Sequence, residues 1–247
     1  MSGHSKWHTI KHKKGLADAK RGQMFTKLIK EISISARLGG GDPDTNPRLR
    51  TVILKAKAGN MPRDNIERAI KKGTGELEGV SYEEILYEAY GPGGVAILID
   101  ILTDNKNRAA AEIRNLLSKG GGNLGASGSV AYQFKRKGVI TYDSSKYKED
   151  DILEVALEAG AEDVSSDAES IEVKTTPEDF EAVVKAMEAK GFEHTMAEIV
   201  RVADQTVTLD KDKTEKALRL VENLEEHEDV QNVATNLEIP ADFVMQD

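Results

Sequence analysis

The N-terminal segment GHSKWHTIKHKKGLADAKRG (residues 3–22) concentrates the side chains that could do chemistry in this chain. It holds three of the five histidines, the only tryptophan, and six basic residues against one acid, Asp18. Lysines neutralise phosphates and aromatic rings stack on unpaired bases, so the segment predicts contact with nucleic acid. The residues expected to make this contact, some of them just beyond the segment, are Lys6, Trp7, His8, Lys11, His12, Lys13, Lys14, Lys20, Arg21, Lys27 and Lys30.

The same segment allows two other interpretations. His4, His8 and His12 recur at four-residue steps and would share one face of a helix, as metal ligands can. No helical pattern covers them, and no cysteine or carboxylate lies among them to complete a ligand set, so we expect no metal. Trp7 has an alternative role as a buried anchor that holds the segment on the helical bundle, and the sequence leaves both of its roles open.

The chain lacks the sequence patterns of a catalytic site. It has no G-x-S-x-G motif, no HExxH motif and no thiol. The glycine-rich stretches YGPGGVA and KGGGNLGASG lack the phosphate-loop spacing; the first is typical of a hairpin turn and the second of a flexible connector. We therefore predict that the protein is not an enzyme and has no catalytic residues and no cofactor.

The charge of the chain is unevenly distributed. The formal net charge is -9, but residues 1–75 contain 17 basic and 6 acidic residues, a net charge of +11, which leaves -20 for the remainder. This asymmetry indicates a basic module that contacts a polyanion, attached to an acidic body that could recruit protein partners. The alternative, in which the basic part docks on the acidic part of its own chain or of a partner subunit, stays open.

Composition excludes several other classes of protein. The 247 residues contain no cysteine, which excludes a disulfide scaffold and a thiolate metal site. The longest apolar stretch, GVAILIDILTD, is interrupted by Asp100 and is too short to span a bilayer. We expect a cytoplasmic protein with no membrane contact.

The basic part has the periodicity of helices. Phe25, Leu28, Ile29, Ile32 and Ala36 recur at three- and four-residue steps and predict a helix over residues 17–38. Two further helices are expected at 46–59 and 62–73, each with a proline near its start and a glycine at its end. Together they predict a three-helix bundle in a domain of residues 1–75, preceded by an extended or loosely ordered arm.

The acidic part alternates between strand and helix patterns. Residues 135–203 follow the order β-α-β-β-α-β of a ferredoxin-like unit. Strands and helices at 76–134, including a strand over 128–134, and at 204–247 form a second two-layer set. We therefore predict an α+β fold in which the 135–203 domain is inserted into a domain made of 76–134 and 204–247. The alternative is three domains in linear order.

Four stretches together resemble one known family: GHSKWHTIKHKKGLADAKRGQMFTKLIKEI, NPRLRTVILKAKAGNMPRDNIERAIKKG, YEAYGPGGVAILIDILTDNKNRAAAEIR and GGNLGASGSVAYQF. They are similar to the YebC/PmpR family, which includes the mitochondrial translational activator of cytochrome c oxidase. The resemblance implies a helical N-terminal domain followed by two ferredoxin-like α/β domains. It also implies a cytoplasmic DNA-binding transcriptional regulator, or, as a competing role, a factor that acts in translation at the ribosome.

These observations predict a nucleic-acid-binding regulator, with DNA-dependent transcription as the first interpretation. The alternative is a ribosome-associated translation factor that binds ribosomal or transfer RNA through the same basic surface. The tryptophan and histidines of the N-terminal segment favour RNA, and the lack of a recognisable helix-turn-helix weakens sequence-specific DNA binding. The label of the family favours DNA.

Overall fold

The computed structural model describes residues 6–7, 18–240 and 243 of the chain, with only the backbone of residues 18–20. The described part begins with Lys6 and Trp7, whose backbone is helical rather than extended as predicted for the arm. Three helices then follow at the predicted places, with ends that differ from the predicted ones by at most a residue or two. They are α1 (Asp18–Gly39), α2 (Pro47–Ala58) and α3 (Arg63–Thr74).

Small side chains set how closely the three helices pack. Ser33 and Ala36 of α1 face α3, and the Ser33 hydroxyl donates a hydrogen bond to the Ala69 carbonyl oxygen at 3.0 Å. A Cβ atom on Gly73 would lie 2.3 Å from the Ser33 carbonyl oxygen, so only glycine allows this approach. Asn46 caps α2, because its side-chain oxygen accepts from the Leu49 amide at 3.1 Å. The apolar stripe that includes Ile32 is buried between the helices.

Strands and helices alternate in the rest of the chain. The elements are β1 (Glu83–Tyr90), β2 (Ala96–Thr103), α4 (Lys106–Lys119), β3 (Asn123–Leu124), β4 (Phe134–Asp143), α5 (Glu149–Glu158), β5 (Asp163–Ser166), β6 (Ser170–Thr175), α6 (Phe180–Ala189), β7 (Met196–Ala203), β8 (Val207–Thr208), α7 (Lys211–Glu225), β9 (Val230–Thr235) and β10 (Leu237–Glu238).

These elements form two four-stranded sheets, each with two helices packed on it, and a two-stranded parallel pair, β8 with β10. The order of the first sheet is β3-β1-β2-β9 and that of the second is β5-β6-β4-β7. This is an α+β fold with an N-terminal helical bundle followed by two α/β units, as predicted.

The predicted strand over residues 128–134 is wrong. A single 3-10 turn (Ala131–Gln133) occupies its centre, and β4 begins only at Phe134. The backbone amides of this segment do not pair with a neighbouring strand. Instead they donate hydrogen bonds to the buried carboxylate of Glu88, from Gly128 at 2.5 Å, Val130 at 2.7 Å and Ala131 at 2.8 Å. We call residues 125–133 the Glu88 loop.

The ionisation state of Glu88 follows from these contacts. Burial alone would raise the pKa of its carboxyl group, but the amides of Val130, Gly128, Ala131 and Ser129 hold the pKa below its ordinary value. The loop is therefore bound to an ionised carboxylate, and charge-assisted hydrogen bonds of this kind are stronger than neutral ones. The end of the segment that was predicted to be a flexible connector is therefore held in place by hydrogen bonds to Glu88.

Strand pairing bears on the order of the domains. β9 pairs with β2, although the whole second sheet lies between them in sequence. The first and last strands of the second sheet, β4 and β7, are neighbours, and Phe134 lies directly opposite Ala203. The inserted domain over residues 135–203 stays a prediction, and this pairing is compatible with it. In the described part of the chain, no helix is long and apolar enough to cross a membrane.

Replacement of residues 136–201 by the dipeptide Asn-Gly should leave the rest of the chain folded. Lys135 and Val202 are directly opposite in an antiparallel ladder, and Asn-Gly closes such a pair in a tight hairpin. We expect one cooperative thermal transition by circular dichroism, with helix and strand signals reduced only by the deleted part. An insoluble protein, or a melt without a transition, would favour mutually dependent domains in linear order.

Candidate nucleic-acid interface

Two lysines of α1 that were predicted to bind nucleic acid contact the end of α7 and the loop that follows it. The Lys27 ammonium donates to the Glu225 carbonyl oxygen at 2.5 Å. The Lys30 ammonium donates to the Glu228 carbonyl oxygen at 3.1 Å and to the Asp229 carboxylate at 2.5 Å. The carboxyl end of a helix has unpaired carbonyls and a partial negative charge, which suits cations. The bundle is thus docked on the acidic body through α1.

Asp229 is the centre of this contact. Its side chain is fully buried and also accepts from the Thr103 hydroxyl at 2.9 Å and from the Arg108 guanidinium at 3.0 Å. Burial alone would raise the pKa of Asp229, but Lys30, Arg108 and Thr103 hold it below its ordinary value. We call Asp229, Lys30, Thr103 and Arg108 the Asp229 cluster. It joins α1, the end of β2, α4 and the loop before β9.

Trp7 lies in the core of the acidic body. Its side chain is 6 % exposed, and the indole Nε1 donates to the Glu225 carboxylate at 3.1 Å. The neighbouring Lys6 is also buried and pairs with Asp167, with 3.5 Å between the ammonium and the carboxylate. Burial would raise the pKa of Asp167, but two backbone amides and Lys6 lower it. Trp7 therefore has the position of a buried anchor, but it is anchored in the acidic body and not in the bundle.

The other residues predicted to bind nucleic acid are placed less fully. The Arg21 side chain is exposed on α1, while Lys20 is described only in its backbone. His8, Lys11, His12, Lys13 and Lys14 lie outside the described residues. As nucleic-acid-binding residues, all eleven stay predictions.

Sequence reasoning missed a different basic surface, on the outward side of α3. Arg68, Lys71 and Lys72 are exposed there, and we call them the α3 basic face. Their spacing of three and four residues puts them on one side of the helix, opposite Ile66 and Ala69, which are buried in the bundle. This spacing was the signal available in the sequence.

Three other cations of the bundle are neutralised within the chain. Arg48 bonds to Glu31 at 2.8 Å and also pairs with Glu84, Lys55 bonds to Glu198 at 2.7 Å, and Arg63 bonds to Glu67 at 2.7 Å. The α3 basic face, in contrast, has no acidic partner among the described residues. Lys71 and Lys72 lie in the last turn of α3, where they also complement the helix dipole. This face is therefore available to an external anion.

Three possible metal ligands also meet beside the Asp229 cluster. Ligand atoms of Glu112, His227 and Asp229 lie within 4.8 Å of one another. Both ring nitrogens of His227 are already engaged, since Nδ1 accepts from the Asp229 amide at 3.1 Å and Nε2 lies 2.8 Å from the Glu112 carboxylate. With Lys30 and Arg108 on the Asp229 carboxylate, the arrangement is a hydrogen-bond network that suits no additional cation.

Comparisons with known proteins cover nearly the whole chain. Residues 5–76 match the family model described as the TACO1/YebC protein N-terminal domain, and residues 82–237 match the one described as the TACO1/YebC second and third domain. A "probable transcriptional regulatory protein" from Treponema denticola is 64% identical over 245 residues, 99% of each chain. A protein of the same name from Desulfatibacillum aliphaticivorans is 58% identical over 247 residues, 100% of each chain.

A solved structure has the same fold. The crystal structure of a conserved hypothetical protein from Aquifex aeolicus is 48% identical, with a TM-score of 0.82. The match covers 93% of this chain and 95% of that chain. The similarity thus extends over the bundle and the acidic body together.

Asp229→Asn should destabilise the protein by about 3–5 kcal/mol, because it leaves two buried or half-buried cations without their shared carboxylate. The matched control is Asp104→Asn, which removes a more exposed carboxylate from the same Arg108 and should cost less than about 1 kcal/mol. Urea unfolding followed by fluorescence of Trp7, the only tryptophan, measures both. Equal, small losses in the two variants would contradict a central role for Asp229.

The stability difference between the parent protein and Asp229→Asn should depend on pH. A depressed pKa in the folded state means that ionised Asp229 stabilises the fold above the unfolded pKa of about 3.9, and that this stability is lost as pH falls further. The difference in unfolding free energy between the parent and Asp229→Asn should therefore shrink as pH falls from about 6 to about 3. A difference that stays constant over this range would show that the carboxylate charge is not what stabilises the contact.

Proposed function

The chain belongs to the TACO1/YebC family, and from this premise we propose that it is a non-enzymatic regulatory protein that acts by binding nucleic acid, with duplex DNA as its first target. The family resemblance drawn from the sequence is confirmed. Relatives over their full length are named probable transcriptional regulatory proteins, which supports a role in regulation. The binding of DNA and the surface that binds it are our proposals.

The observation that carries the proposal is the α3 basic face. Arg68, Lys71 and Lys72 are three exposed cations on the module whose net charge is +11. A phosphate backbone is the biological polyanion that such a surface fits best, because each neutralised phosphate releases condensed counterions. The lysines of α1, by comparison, contribute through their contact with the acidic body.

The α3 basic face takes no part in the contacts between the bundle and the body. At 100° per residue, Lys27 and Lys30 lie on the side of α1 opposite Ile32 and Ala36, which pack in the bundle. The helix α1 thus contacts the body with one side and the other two helices with the opposite side. Among the described residues the α3 basic face forms no ion pair with the acidic body, so phosphate would not have to displace a carboxylate from it.

The alternative, a ribosome-associated translation factor on ribosomal or transfer RNA, would use the same face. Trp7 does not favour this alternative, because an indole that is buried and bonded to Glu225 has no free ring face for stacking. Phosphate contact by α3 alone does not distinguish duplex DNA from folded RNA. The two targets are therefore arms of one experiment.

Replacement of the α3 basic face by Arg68→Gln, Lys71→Gln and Lys72→Gln should weaken binding to a fluorescent 20-base-pair DNA duplex. The slope of log affinity against log salt should fall by about 0.9 for each phosphate that the variant no longer neutralises. Fluorescence anisotropy over a range of salt concentrations, with an RNA hairpin in parallel, measures both quantities. The target that the parent protein binds more tightly identifies the preferred nucleic acid.

The matched control carries the same change of charge on the second α/β unit, at the exposed residues Lys148, Lys185 and Lys190. It should bind both probes like the parent. A parallel variant with Lys11→Ala, Lys13→Ala and Lys14→Ala tests the N-terminal segment, which should also lower the salt slope if it lies along phosphates. The proposal for α3 is wrong if its triple variant binds as tightly as the parent at every salt concentration.

A further inference from the structure

A basic stretch lies inside the acidic body. From Ile113 to Tyr142, thirty residues contain no aspartate or glutamate, although the body as a whole has a net charge of -20. The basic residues in this stretch are Arg114, Lys119, Lys135, Arg136 and Lys137. The Glu88 loop lies at its centre. An interval of this length without an acid in so acidic a body identifies a second region where an anion would be tolerated.

The Glu88 loop holds its backbone in one conformation. Besides the three amides bound to Glu88, the Tyr90 hydroxyl donates to the Ser129 carbonyl oxygen at 3.2 Å. Val130 is fully buried against apolar residues of the first sheet and against Phe134. A Cβ atom on Gly125 would lie 2.4 Å from the Ser129 hydroxyl oxygen, so the loop packs against itself. The residues that follow Val130 are therefore presented from a fixed frame.

Tyr132 projects from this frame. It is 75 % exposed, the highest value for a large hydrophobic side chain in the described residues. Burial of an aromatic ring is favourable, but the Tyr132 ring is left in water although the loop that carries it is ordered. Because the backbone is already ordered, little further entropy would be lost when another planar group stacks on the ring.

Arg136 lies four residues later on β4 and is exposed. It lies directly opposite Arg201 in the strand register, where like charges destabilise each other. Arg201 is neutralised by Asp100 at 3.3 Å, and the neighbours Lys135 and Lys137 are paired as well. Arg136 alone of these four has no acidic partner within the described part of the chain. An external anion would relieve this repulsion.

We propose that Tyr132 and Arg136 form a second nucleic-acid contact, specific for an unpaired strand: the Tyr132 ring stacks on a base and the Arg136 guanidinium binds a phosphate. Four residues of extended chain span at most about 14 Å, so the two groups are close enough to contact the same short stretch of strand. Stacking requires an unpaired base, which separates this site from the α3 basic face. The inference rests on the proposed function only in taking nucleic acid as the ligand.

The test uses the full chain and three fluorescent probes: a 20-nucleotide oligo(U), a 20-nucleotide oligo(dT) and the 20-base-pair DNA duplex. Tyr132→Ala should weaken binding of the single strands by about 5- to 150-fold and leave the salt slope unchanged. Tyr132→Phe should stay within about twofold of the parent, because it keeps the ring. Arg136→Gln should lower the single-strand salt slope by about 0.7.

Leu157→Ala is the matched control, since it removes an exposed apolar side chain from α5, away from the loop. It should bind all three probes like the parent, and all variants should keep the parent's melting temperature, because Tyr132 and Arg136 are exposed. The ratio of oligo(U) to oligo(dT) affinity shows whether the 2′-hydroxyl is read, which distinguishes RNA from DNA as the source of the strand.

The outcomes separate this inference from the proposed function. If Tyr132→Ala binds single strands like the parent, the inference is overturned, while duplex binding that depends on α3 would still stand. If Tyr132→Phe loses as much as Tyr132→Ala, the hydroxyl group and not stacking is responsible, which also overturns it. If single strands bind through Tyr132 but the duplex does not bind, the inference holds and duplex DNA fails as the target. A parent that binds none of the probes contradicts both, and would leave Tyr132 as a contact for a protein.

Discussion

The buried carboxylate of Asp229 is the interaction on which the arrangement of this molecule depends. It receives Lys30 from the bundle, Thr103 from the end of β2 and Arg108 from α4, and each of these polar groups would be costly to bury without it. Such a cluster is a poor source of net stability compared with apolar packing, but it tolerates few alternative geometries. It therefore specifies how the bundle is oriented on the body more than how tightly it is held.

This orientation divides the positive charge of the chain into two classes. Lys27 and Lys30 are used up in internal contacts, whereas the α3 basic face points outward without an acidic partner among the described residues. The same separation recurs on a smaller scale in the body, where Lys135 and Lys137 are paired and Arg136 has no acidic partner in the part of the chain that the structure describes. Charge totals alone therefore describe this protein poorly, because a cation held by an internal carboxylate is less available to a ligand than an unpaired one.

The elements of the fold were predictable because their signals are local. The stripe of Ile32 and Ala36 and the Asn46–Pro47 cap predict the helices, and the β-α-β-β-α-β order predicts the second sheet. The site was less predictable because it depends on pairs far apart in sequence. Nothing near Lys30 shows that Asp229 will neutralise it, and nothing near residues 128–134 shows that Glu88 will take their amides. A strand-like sequence became a loop for that reason.

The pairing of β2 with β9 has a consequence for how the chain is made. The ribosome releases every strand of the second sheet, residues 134–203, before it reaches Thr235, the partner of Ile97. The second sheet can thus complete its hydrogen-bond ladders while one edge of β2 is still unpaired, because the partner of Ile97 lies 138 positions downstream. Asp229 emerges just before that partner strand. The bundle, although synthesised first, can reach its final orientation only at the end of translation.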